Sequence, residues 1–597
     1  MVRASKENLM PDTKLPEWDL SDLYSSPDGP EIETDFVRAE SLSKDFAAAY
    51  QDKLKSLDGD GLGQAIAAYE VLNEIIYKAM SYAQLLYAAD VSDGERGRFY
   101  QTVQERVTDI SSLTLFFRLE INRLDDDVLA AQIGSGKAAH FAPWIKDVRA
   151  FRTHQLSDDL EKLLHEKSVS GRAAWVRLFD ETEASLRFLL DGKQVSMSDV
   201  LNQMSDTDGT KRKAAAKALG QVLTENIKLF SLVTNTLAKD KAIEDSWRSY
   251  PRPISERNLS NQVEDHVVDA LVSSVRESYP GLSHRYYRLK AKWFGVDALD
   301  YWDRNAPLPG DDAKVYSWDD ARRTVLDAYG RFEPKLAEIA DRFFDKRWID
   351  AALREGKDSG AFSHSTVPSV HPYILMNFHG KARDVMTLAH ELGHGVHQVL
   401  SGSQGALMAD TPLTTAETAS VFGEMLTFRS LLEAEGDPAR RRILLAGKVE
   451  DMLNTVVRQI AFHSFEGRLH DERANGELSP ERLGDIWMEI QGESLGPGIR
   501  FDDDYRSFWA YIPHFVHSPF YVYAYAFGDC LVNSLYDVFQ AGHPGFQEKY
   551  LTMLGAGGTL RHKELLAPFG LDAGDPEFWK RGLGIVAGFV DELEKME

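Results

Sequence analysis

Cysteine is almost absent from this sequence: Cys530 is the only cysteine among 597 residues. A single cysteine cannot form an intramolecular disulfide, so the disulfide-stabilised scaffolds of small secreted domains are excluded. A zinc cluster held by several cysteines is excluded for the same reason. With 43% hydrophobic and 27% charged residues, the composition is instead that of an ordinary globular protein.

Long apolar runs are absent as well. No stretch comes near the roughly 18 uninterrupted apolar residues that a membrane-spanning helix requires. Residues 1–18 are polar and lack the apolar segment of a secretory signal peptide. We therefore expect a cytoplasmic protein that has no membrane partner.

Positive charge is scarce relative to negative charge. The chain has 68 Lys and Arg against 93 Asp and Glu, which gives a net charge of −25 at pH 7. Such an excess of negative charge repels the phosphates of nucleic acids and anionic lipid headgroups. We therefore expect no nucleic-acid partner, and the sequence leaves the oligomeric state open.

Alternating patterns typical of strands are rare, whereas helical periodicity dominates the chain. Between Gly63 and Val91, apolar residues such as Tyr69, Leu72 and Ile76 recur at intervals of three and four. The same pattern, with charged outer faces, occurs in 95–125, 157–168, 210–243 and 262–292. The sequence therefore predicts a mainly α protein.

The length of the chain favours more than one domain. Polar and turn-forming residues gather at 191–209, a composition typical of a hinge. We therefore predict an N-terminal helical lobe, 1–195, and a larger region, 196–597, which contains the motifs described next.

The most informative segment is an amphipathic helix predicted over 382–400. Its apolar stripe consists of Val385, Leu388, Leu392, Val396 and Val399, with Asp384 as the predicted N-cap and Gly402 as the predicted stop.

His390 and His394 lie one turn apart on a different face of this helix, a spacing that lets two imidazoles bind one metal ion. Glu391 lies between them, where it can act as the general base of a metal-dependent hydrolase. His397 is expected to pack or to orient a ligand rather than to bind the metal.

A catalytic zinc site needs a third protein ligand and one open position. The segment Thr414–Leu426 is predicted as a helix that begins at Thr414 or Thr415, with Glu417, Ser420 and Glu424 on one face. Small residues at Ala416, Ala419 and Gly423 would let it approach the histidine helix closely. We predict Glu417 as the third ligand of one Zn²⁺; Glu424 is the alternative ligand or a partner that orients a ligating histidine.

A short extended segment precedes the histidine helix. His371–Phe378 is apolar and carries Pro372 near its start, which is best tolerated on an edge strand. An unpaired strand edge beside the metal would bind an extended peptide through backbone hydrogen bonds. The predicted peptide-binding residues are Tyr373, Ile374, Leu375, Met376, Asn377 and His379.

The paired segments HELGHGVH, at 390–397, and TPLTTAETASVFGEML, at 411–426, resemble the thimet oligopeptidase/oligoendopeptidase F family of zinc metallopeptidases, and its oligoendopeptidase F branch in particular. The resemblance extends through WDLSDLY (18–24), YYRLKAKWFG (286–295), PYILMNFHGKARDVMTLAHELGH (372–394) and YIPHFVHSPFYVYAYAFG (511–528). It implies a two-lobed helical ellipsoid around a deep substrate channel, with a small β-sheet next to the zinc helix. It also implies endopeptidase action on short, unstructured peptides.

In that family a histidine and a tyrosine from the last of these segments stabilise the negative charge on the carbonyl oxygen of the cleaved bond. Transfer by position favours His514 and Tyr525, with Tyr521 next, while His517 and Tyr523 stay open as alternatives. Ser518 and Pro519 are predicted to start the helix that carries these tyrosines.

Two other functions fit parts of the same pattern. A dipeptidyl carboxypeptidase would share the helical zinc scaffold but would need a basic group for the substrate carboxylate, which the sequence does not locate. A non-catalytic peptide-binding protein would have no need for Glu391 between the two histidines.

Overall fold

The structure is a computed structural model that describes residues 15–168, 170–308 and 314–596. Of the residues, 71% are helical and 3% are in strands, which confirms the prediction of a mainly α protein. The periodic segments are helical as expected, because their apolar stripes can be buried only in that conformation. None of the helices in the described ranges is both long and apolar enough to cross a bilayer.

The helices are, in chain order, α1 Pro30–Tyr50, α2 Gly59–Ala88, α3 Gly94–Ser112, α4 Leu115–Arg123, α5 Asp126–Ile133, α6 Ala142–Arg149, α7 Asp158–Ser168, α8 Arg172–Ser185, α9 Met197–Gln203, α10 Gly209–Trp247, α11 Ser255–Ser260, α12 Asp265–Ser278, α13 Ser283–Trp293, α14 Trp318–Phe332, α15 Pro334–Asp345, α16 Ala382–Ser401, α17 Leu413–Ala416, α18 Ser420–Ala434, α19 Pro438–Thr455, α20 Val457–Arg473, α21 Pro480–Leu495, α22 His514–His517, α23 Tyr523–Gln540, α24 Phe546–Gly555, α25 His562–Leu566 and α26 Pro576–Glu594.

The strands are few and short. They are β1 Phe188–Leu190, β2 Lys193–Val195, β3 Leu299–Asp300, β4 Ile349–Asp350, β5 Phe362–His364, β6 Tyr373–Leu375 and β7 Ile499–Arg500. β1 pairs with β2 antiparallel, β3 with β7 parallel, and a third sheet has the order β4-β6-β5.

The described residues group into two compact units, each assembled from three separate stretches of chain. Unit 1 takes in Met1–Arg152, Ala313–Ala434 and Gly542–Phe569, and unit 2 takes in Thr153–Asp312, Glu435–Ala541 and Gly570–Glu597. The boundary that the sequence predicts at residue 195, between an N-terminal lobe and the rest of the chain, stays a prediction. The segment 191–209, which we predicted as a hinge, lies inside unit 2 and is folded there into β2 and α9.

Unit 1 has an aromatic core formed by its N-terminal helices. Phe46 of α1, Tyr69 of α2, Phe117 of α4 and Trp144 of α6 pack with ring centroids 5.0–6.3 Å apart.

In unit 2, α23 and the last helix, α26, approach each other closely. A Cβ on Gly582 would lie 2.3 Å from the carbonyl oxygen of Cys530, so the single cysteine is buried in a helix contact.

The three-stranded sheet lies in unit 1, and β6 is its central strand. The backbone N–H groups of Ile374 and Met376 donate to the carbonyls of Trp348 and Asp350, both at 2.9 Å, while β5 pairs antiparallel on the other side. The prediction that Tyr373–Phe378 forms an unpaired edge strand is therefore wrong. Pro372 is tolerated because the ladder begins after it.

Helix α16 begins at Ala382, three residues earlier than a cap at Asp384 would allow. Lys381 is the N-cap, and the Asp384 carboxylate accepts the N–H groups of Lys381 and His379 at 2.9 and 2.8 Å. Asp384 therefore still caps the helix, but from its third position. The predicted end at Gly402 is confirmed.

Close backbone contacts hold α16 in unit 1. A Cβ on Gly393 would lie 2.5 Å from the carbonyl oxygen of Ala419 and 2.6 Å from Cα of Ser420. On another side, the Tyr329 hydroxyl donates to the Ala389 carbonyl at 2.5 Å. The absence of a side chain at Gly393 therefore sets how near the next segment of chain comes to the histidines.

We predict that Gly393→Ala lowers the free energy of unfolding by about 1–3 kcal/mol, since the new methyl would overlap backbone atoms that cannot move aside. Urea denaturation of the purified variant measures the change.

Gly330→Ala, in α14 of the same unit, is the matched control. Its Cβ would lie 3.6 Å from the Ala337 side chain, an ordinary contact, so it should be neutral or gain about 0.5–1 kcal/mol from helix propensity. Equal effects of the two substitutions would contradict the close contact at Gly393.

Candidate metal centre and neighbouring functional groups

The two histidines of α16 point to the same place. His390 and His394 have ring centroids 4.9 Å apart, and their side chains are 25% and 20% exposed. Four residues complete slightly more than one turn of an α-helix, so the two rings lie one above the other on the same face. Both rings are accessible enough for a ligand to reach their nitrogens.

The predicted helix over Thr414–Leu426 is interrupted where it passes α16. Helix α17 ends at Ala416, residues 417–419 form a turn, and α18 begins at Ser420. The turn lies against Gly393, and the Tyr550 hydroxyl donates to the Thr418 carbonyl at 2.8 Å. Glu417 is thus positioned by a turn and not by a helix face.

The turn brings Glu417 to both histidines. Its Oε2 lies 3.3 Å from Nε2 of His390 and 3.4 Å from Nε2 of His394, and the three ligand atoms lie within 4.8 Å of one another. A tetrahedral zinc ion with bonds of about 2.0–2.1 Å places its ligand atoms about 3.3 Å apart. The nitrogen and oxygen donors present fit such an ion.

Glu424 occupies a different position, behind His390. Its Oε2 lies 3.2 Å from Nδ1 of His390, the ring nitrogen that faces away from Glu417. A carboxylate in this position fixes the orientation and tautomer of a ligating histidine. Glu417 and Glu424, which the sequence left as alternative metal ligands, therefore approach different nitrogens of the His390 ring.

The carboxylates control the charge of this cluster. Burial lowers the pKa of His390, but the hydrogen bond to Glu424 and the charges of Glu417 and Glu391 outweigh it and raise that pKa to about 9. Burial raises the pKa of Glu417, yet the His394 and His390 rings and the Ser420 hydroxyl bring it down to about 2. The Ser420 hydroxyl donates to Glu417 Oε2 at 2.6 Å. The site is therefore built to attract a cation.

Glu391 and His397 differ in their surroundings. Glu391 is 6% exposed, and burial raises its pKa above the ordinary range. His397 is 5% exposed, and burial followed by the charge of His394 lowers its pKa to about 4. His397 is therefore a neutral, packed ring, while Glu391 lies between the two ligand candidates in sequence.

The predicted peptide-binding residues do not present a free surface. Tyr373, Ile374, Leu375 and Met376 are fully buried in the sheet. Asn377 donates to the Asp358 carbonyl at 2.9 Å, and His379 is exposed. Within the described residues the outer strand next to α16 is instead β5. The Ser363 hydroxyl donates to Gln398 of α16 at 2.9 Å, and the Ser363 carbonyl accepts from the same side chain at 3.3 Å.

Unit 2 contains the predicted histidine–tyrosine cluster. Nε2 of His514 lies 3.3 Å from the hydroxyl of Tyr525, and the Tyr521 ring lies 5.3 Å from that of Tyr525 and 6.1 Å from that of His514. Burial, together with the charges of Arg458 and His517, lowers the pKa of His514, which favours its neutral form. Tyr523 points elsewhere and is fully buried, and its hydroxyl accepts from Asn261 at 2.9 Å.

The backbone around this cluster differs from the prediction. The long helix begins at Tyr523, not at Ser518 or Pro519, because Phe520 has a left-handed φ of 58° that no helix accommodates. The Glu466 carboxylate accepts the Phe520 N–H at 2.9 Å.

His517 has a partner outside the cluster, since its Nε2 lies 2.6 Å from Asp180. His514 and His517 form the one-turn helix α22 rather than a loop.

Sequence reasoning missed several residues that shape these sites. Ser363 on β5 lies in a loop-rich stretch without an apolar run, so nothing marked it as a strand. Tyr329 and Glu466 contact residues 60 and 54 positions away along the chain. Such contacts leave no local pattern.

Comparison with protein families gives two matches. A model described as Peptidase family M3 matches residues 329–585, and one described as Oligopeptidase F matches residues 120–188. The first range contains every residue of the candidate metal centre and of the histidine–tyrosine cluster.

Among curated proteins, the chain is 25% identical to "Oligopeptidase PepF" of Bacillus subtilis, covering 100% of this chain and 90% of that protein. It is 26% identical to "Oligoendopeptidase F homolog" of Lactococcus lactis, covering 97% of each.

Among solved structures, a putative peptidase from Chlamydophila abortus matches with a TM-score of 0.86 and 22% identity, over 97% of this chain and 98% of that one. Oligoendopeptidase F from Enterococcus faecium matches with a TM-score of 0.71 and 22% identity, over 95% and 99%. At these identities the structural matches show the fold.

We predict that Glu417→Ala weakens Zn²⁺ binding more than Glu424→Ala. Loss of a group that only orients a ligand costs about 10–100-fold in affinity, and loss of a ligand should exceed that. Competition against a chromophoric chelator ranks the two variants.

Glu433 is an exposed glutamate on α18, so Glu433→Ala serves as the control. This variant should bind Zn²⁺ like the unmodified protein. If Glu424→Ala proves the more damaging change, the third ligand is Glu424.

Proposed function

Since this chain belongs to peptidase family M3, as a metallopeptidase related to oligoendopeptidase F, we propose that it is a zinc-dependent endopeptidase of short, unstructured peptides. One Zn²⁺ per chain would be held by His390, His394 and Glu417. The substrates are peptides, cleaved at internal bonds, and we propose that the protein acts in the cytoplasm.

One observation carries this proposal: an oxygen of Glu417 lies from two histidine nitrogens at the separation expected between ligands of a tetrahedral zinc ion, and those histidines belong to the helix that also bears Glu391. His390 and His394 each approach the same oxygen of Glu417, at 3.3 and 3.4 Å. Three protein ligands leave one tetrahedral position open, which distinguishes a catalytic zinc site from a structural one.

The proposed chemistry divides between the metal and the chain. When bound by these ligands, a zinc ion would act as a Lewis acid and make a water molecule acidic enough to lose a proton near neutral pH. Glu391 accepts that proton and later delivers it to the leaving amine. Burial raises the pKa of Glu391, which makes its carboxylate a stronger base.

We propose that His514 and Tyr525 stabilise the negative charge that develops on the substrate carbonyl oxygen, with Tyr521 assisting. Their support is mutual geometry, since the imidazole and the phenol of Tyr525 lie within hydrogen-bond distance. A neutral imidazole and a phenol each carry one proton to donate. Donors aimed at such an oxygen contribute typically a few kcal/mol to catalysis.

The peptide backbone would be aligned by β5 and not by β6. The backbone of β6 is paired on both sides, whereas β5 is an outer strand within the described residues. A peptide that pairs with β5 would replace the hydrogen bond that Gln398 donates to the Ser363 carbonyl at 3.3 Å. An extended peptide can add to such an edge through main-chain hydrogen bonds, which tolerate many side chains. Of the residues predicted from the sequence for this role, Tyr373–Met376 would support the strand from behind.

We predict that Glu391→Gln lowers kcat at least about 100-fold, since Gln cannot accept the proton. The variant should retain stoichiometric zinc, because the three ligands are unchanged. Peptide hydrolysis assays and metal analysis by mass spectrometry measure the two quantities.

Two further variants make the test specific. His390→Ala should lose the metal, and Glu433→Gln on α18 should keep both metal and rate. A Glu391→Gln enzyme that retains within about tenfold of the original rate would remove Glu391 from the role of base.

We also predict selection by substrate size. The enclosed channel that the family resemblance implies would admit only an extended segment. Peptides shorter than about twenty residues, which span at most about 70 Å when extended, should be cleaved rapidly. A stable globular protein should remain intact.

Incubation with a globular protein, its denatured form and a short peptide from the same sequence separates the possibilities. Efficient internal cleavage of the intact globular protein would show that the metal lies in an open cleft.

A further inference from the structure

The turn between α22 and α23 has an unusual backbone conformation. The Tyr521 N–H donates to the Ser518 carbonyl at 3.1 Å, which closes a β-turn with Pro519 and Phe520 at its centre. Proline followed by a residue of positive φ is the pattern of a type II turn, whose third position favours Gly or Asn. Phe520 occupies that position with a φ of 58°, where a bulky side chain is rarely found. Such a turn persists only when the surrounding chain supports it.

The support acts on a single peptide unit, the one that joins Pro519 to Phe520. On one side, its carbonyl oxygen accepts from Nε of Arg257, in α11, at 3.2 Å. On the other side, its N–H donates to Oε1 of Glu466, in α20, at 2.9 Å. The carbonyl and the N–H of a trans peptide lie in one plane and point in opposite directions. Helices α11 and α20 therefore fix the plane of this peptide from its two sides.

The orientation of this peptide decides the type of turn. Types I and II differ by a half-rotation of the central peptide, which takes φ of the third residue from about −90° to about +80°. Rotation to type I would therefore relieve Phe520 of its positive φ. The same rotation would break both hydrogen bonds of the peptide, so Glu466 and Arg257 oppose it.

Helix α20 holds the side chain of Phe520 as well as its backbone. The Phe520 ring packs against the rings of His463 and His470, with centroids 6.0 and 5.0 Å apart. These two histidines and Glu466 are spaced three and four residues apart, which places them on one face of α20. One helix face thus binds Phe520 at three points.

The turn connects directly to the histidine–tyrosine cluster. The Arg257 guanidinium lies 5.9 Å from the centroid of the Tyr521 ring, within the range of a cation–π contact. The Tyr521 ring in turn lies 5.3 Å from Tyr525 and 6.1 Å from His514. Because the turn joins α22 to α23, its shape also sets how His514 meets Tyr525.

We propose that Glu466 and Arg257 are positioning residues, which hold the central peptide of this turn in its type II orientation. That orientation aligns Tyr521, and the short helix that bears His514, with Tyr525. Neither positioning residue acts on the substrate directly; both act through the turn. The inference rests on the proposed function in that the histidine–tyrosine cluster is taken to stabilise the substrate oxyanion.

Glu466 is suited to this role as a buried, neutral acceptor. Its side chain is 1% exposed, and burial raises its pKa to about 8, which favours the protonated form at neutral pH. Its second oxygen, Oε2, is buried without a hydrogen-bond partner among the described residues. Burying a carboxyl group in this way costs stability. The hydrogen bond from the Phe520 N–H gives a reason for that cost.

Two substitutions that differ in the acceptor test the role of Glu466. Glu466→Met has a similar length and removes the acceptor, so it should lower kcat about 10–100-fold with little change in KM, as misplaced transition-state groups do. Glu466→Gln keeps a carbonyl oxygen and has the shape of the protonated acid, so it should stay within about threefold of the original rate. Equal losses in the two variants, or no loss in either, would overturn the proposal.

Arg257 provides an independent test on the other side of the peptide. Arg257→Met should also lower kcat, and Arg257→Lys, which keeps a positive charge and a donor, should recover part of the loss. Combining Arg257→Met with Glu466→Met should cost less than the product of the two separate effects, because both changes release the same peptide. Independent, multiplicative effects would contradict a shared role.

Ser534→Ala is the control for a loss of stability alone. Ser534 is fully buried in α23, and its hydroxyl donates to the Phe578 carbonyl at 2.7 Å. The variant should lower the unfolding temperature and leave kcat unchanged when rates are measured well below that temperature. A loss of kcat as large as that of Glu466→Met would show that the rate merely follows stability, and the positioning role would be dropped.

Hydrogen exchange at the Phe520 amide follows the turn without turnover. Mass spectrometry with fragmentation of a peptide from 514–525 should show exchange at least about tenfold faster in Glu466→Met than in Glu466→Gln. Equal exchange in the two variants would overturn the proposal. Tyr525→Phe tests the proposed function separately: if it keeps the original rate, Tyr525 does not stabilise the oxyanion, whereas exchange still decides whether Glu466 holds the turn.

Discussion

The close approach of backbone to backbone at Gly393 is the constraint on which the candidate metal centre depends. Helix α16 alone supplies two histidines, which cannot define a three-ligand site. Because Gly393 has no side chain, the turn at residues 417–419 lies directly against the helix and presents Glu417 to both rings. Tyr329 and Tyr550 hold the two sides of this contact by donating to the Ala389 and Thr418 carbonyls.

Charge then decides what each group of the centre can do. His390 and His397 lie on the same helix, both in protein surroundings that disfavour a positive charge. Three carboxylates act on His390 and raise its pKa to about 9, whereas burial dominates for His397 and lowers its pKa to about 4. The surroundings in the fold thus favour a positive charge at His390 and a neutral ring at His397.

Unit 2 shows the opposite balance of charge. Next to Glu450, Lys290 donates to its carboxylate at 2.5 Å and to the Arg304 carbonyl at 2.8 Å, although the chain as a whole carries a net charge of −25. The neighbouring turn with Phe520 at positive φ is held by the buried Glu466 carboxylate. Costly arrangements of this kind concentrate at functional sites, which supports the proposal that the nearby His514 and Tyr525 act on the substrate.

Local features of the chain were predictable from the sequence. The apolar period of three and four predicted helices such as α2 and α10, and the four-residue spacing of His390 and His394 predicted adjacent rings, because helix geometry is a property of neighbouring residues. The small residues near Glu417 also indicated a close approach.

Three features were decided only by the tertiary structure. These are the turn that interrupts the helix at Glu417, the central position of β6, and the start of α23 at Tyr523. Each depends on contacts with residues distant in the chain: the turn on Gly393, β6 on strands at 349–350 and 362–364, and Phe520 on Glu466. Local periodicity carries no record of such contacts, because they form only when the packed chain brings distant backbone groups together.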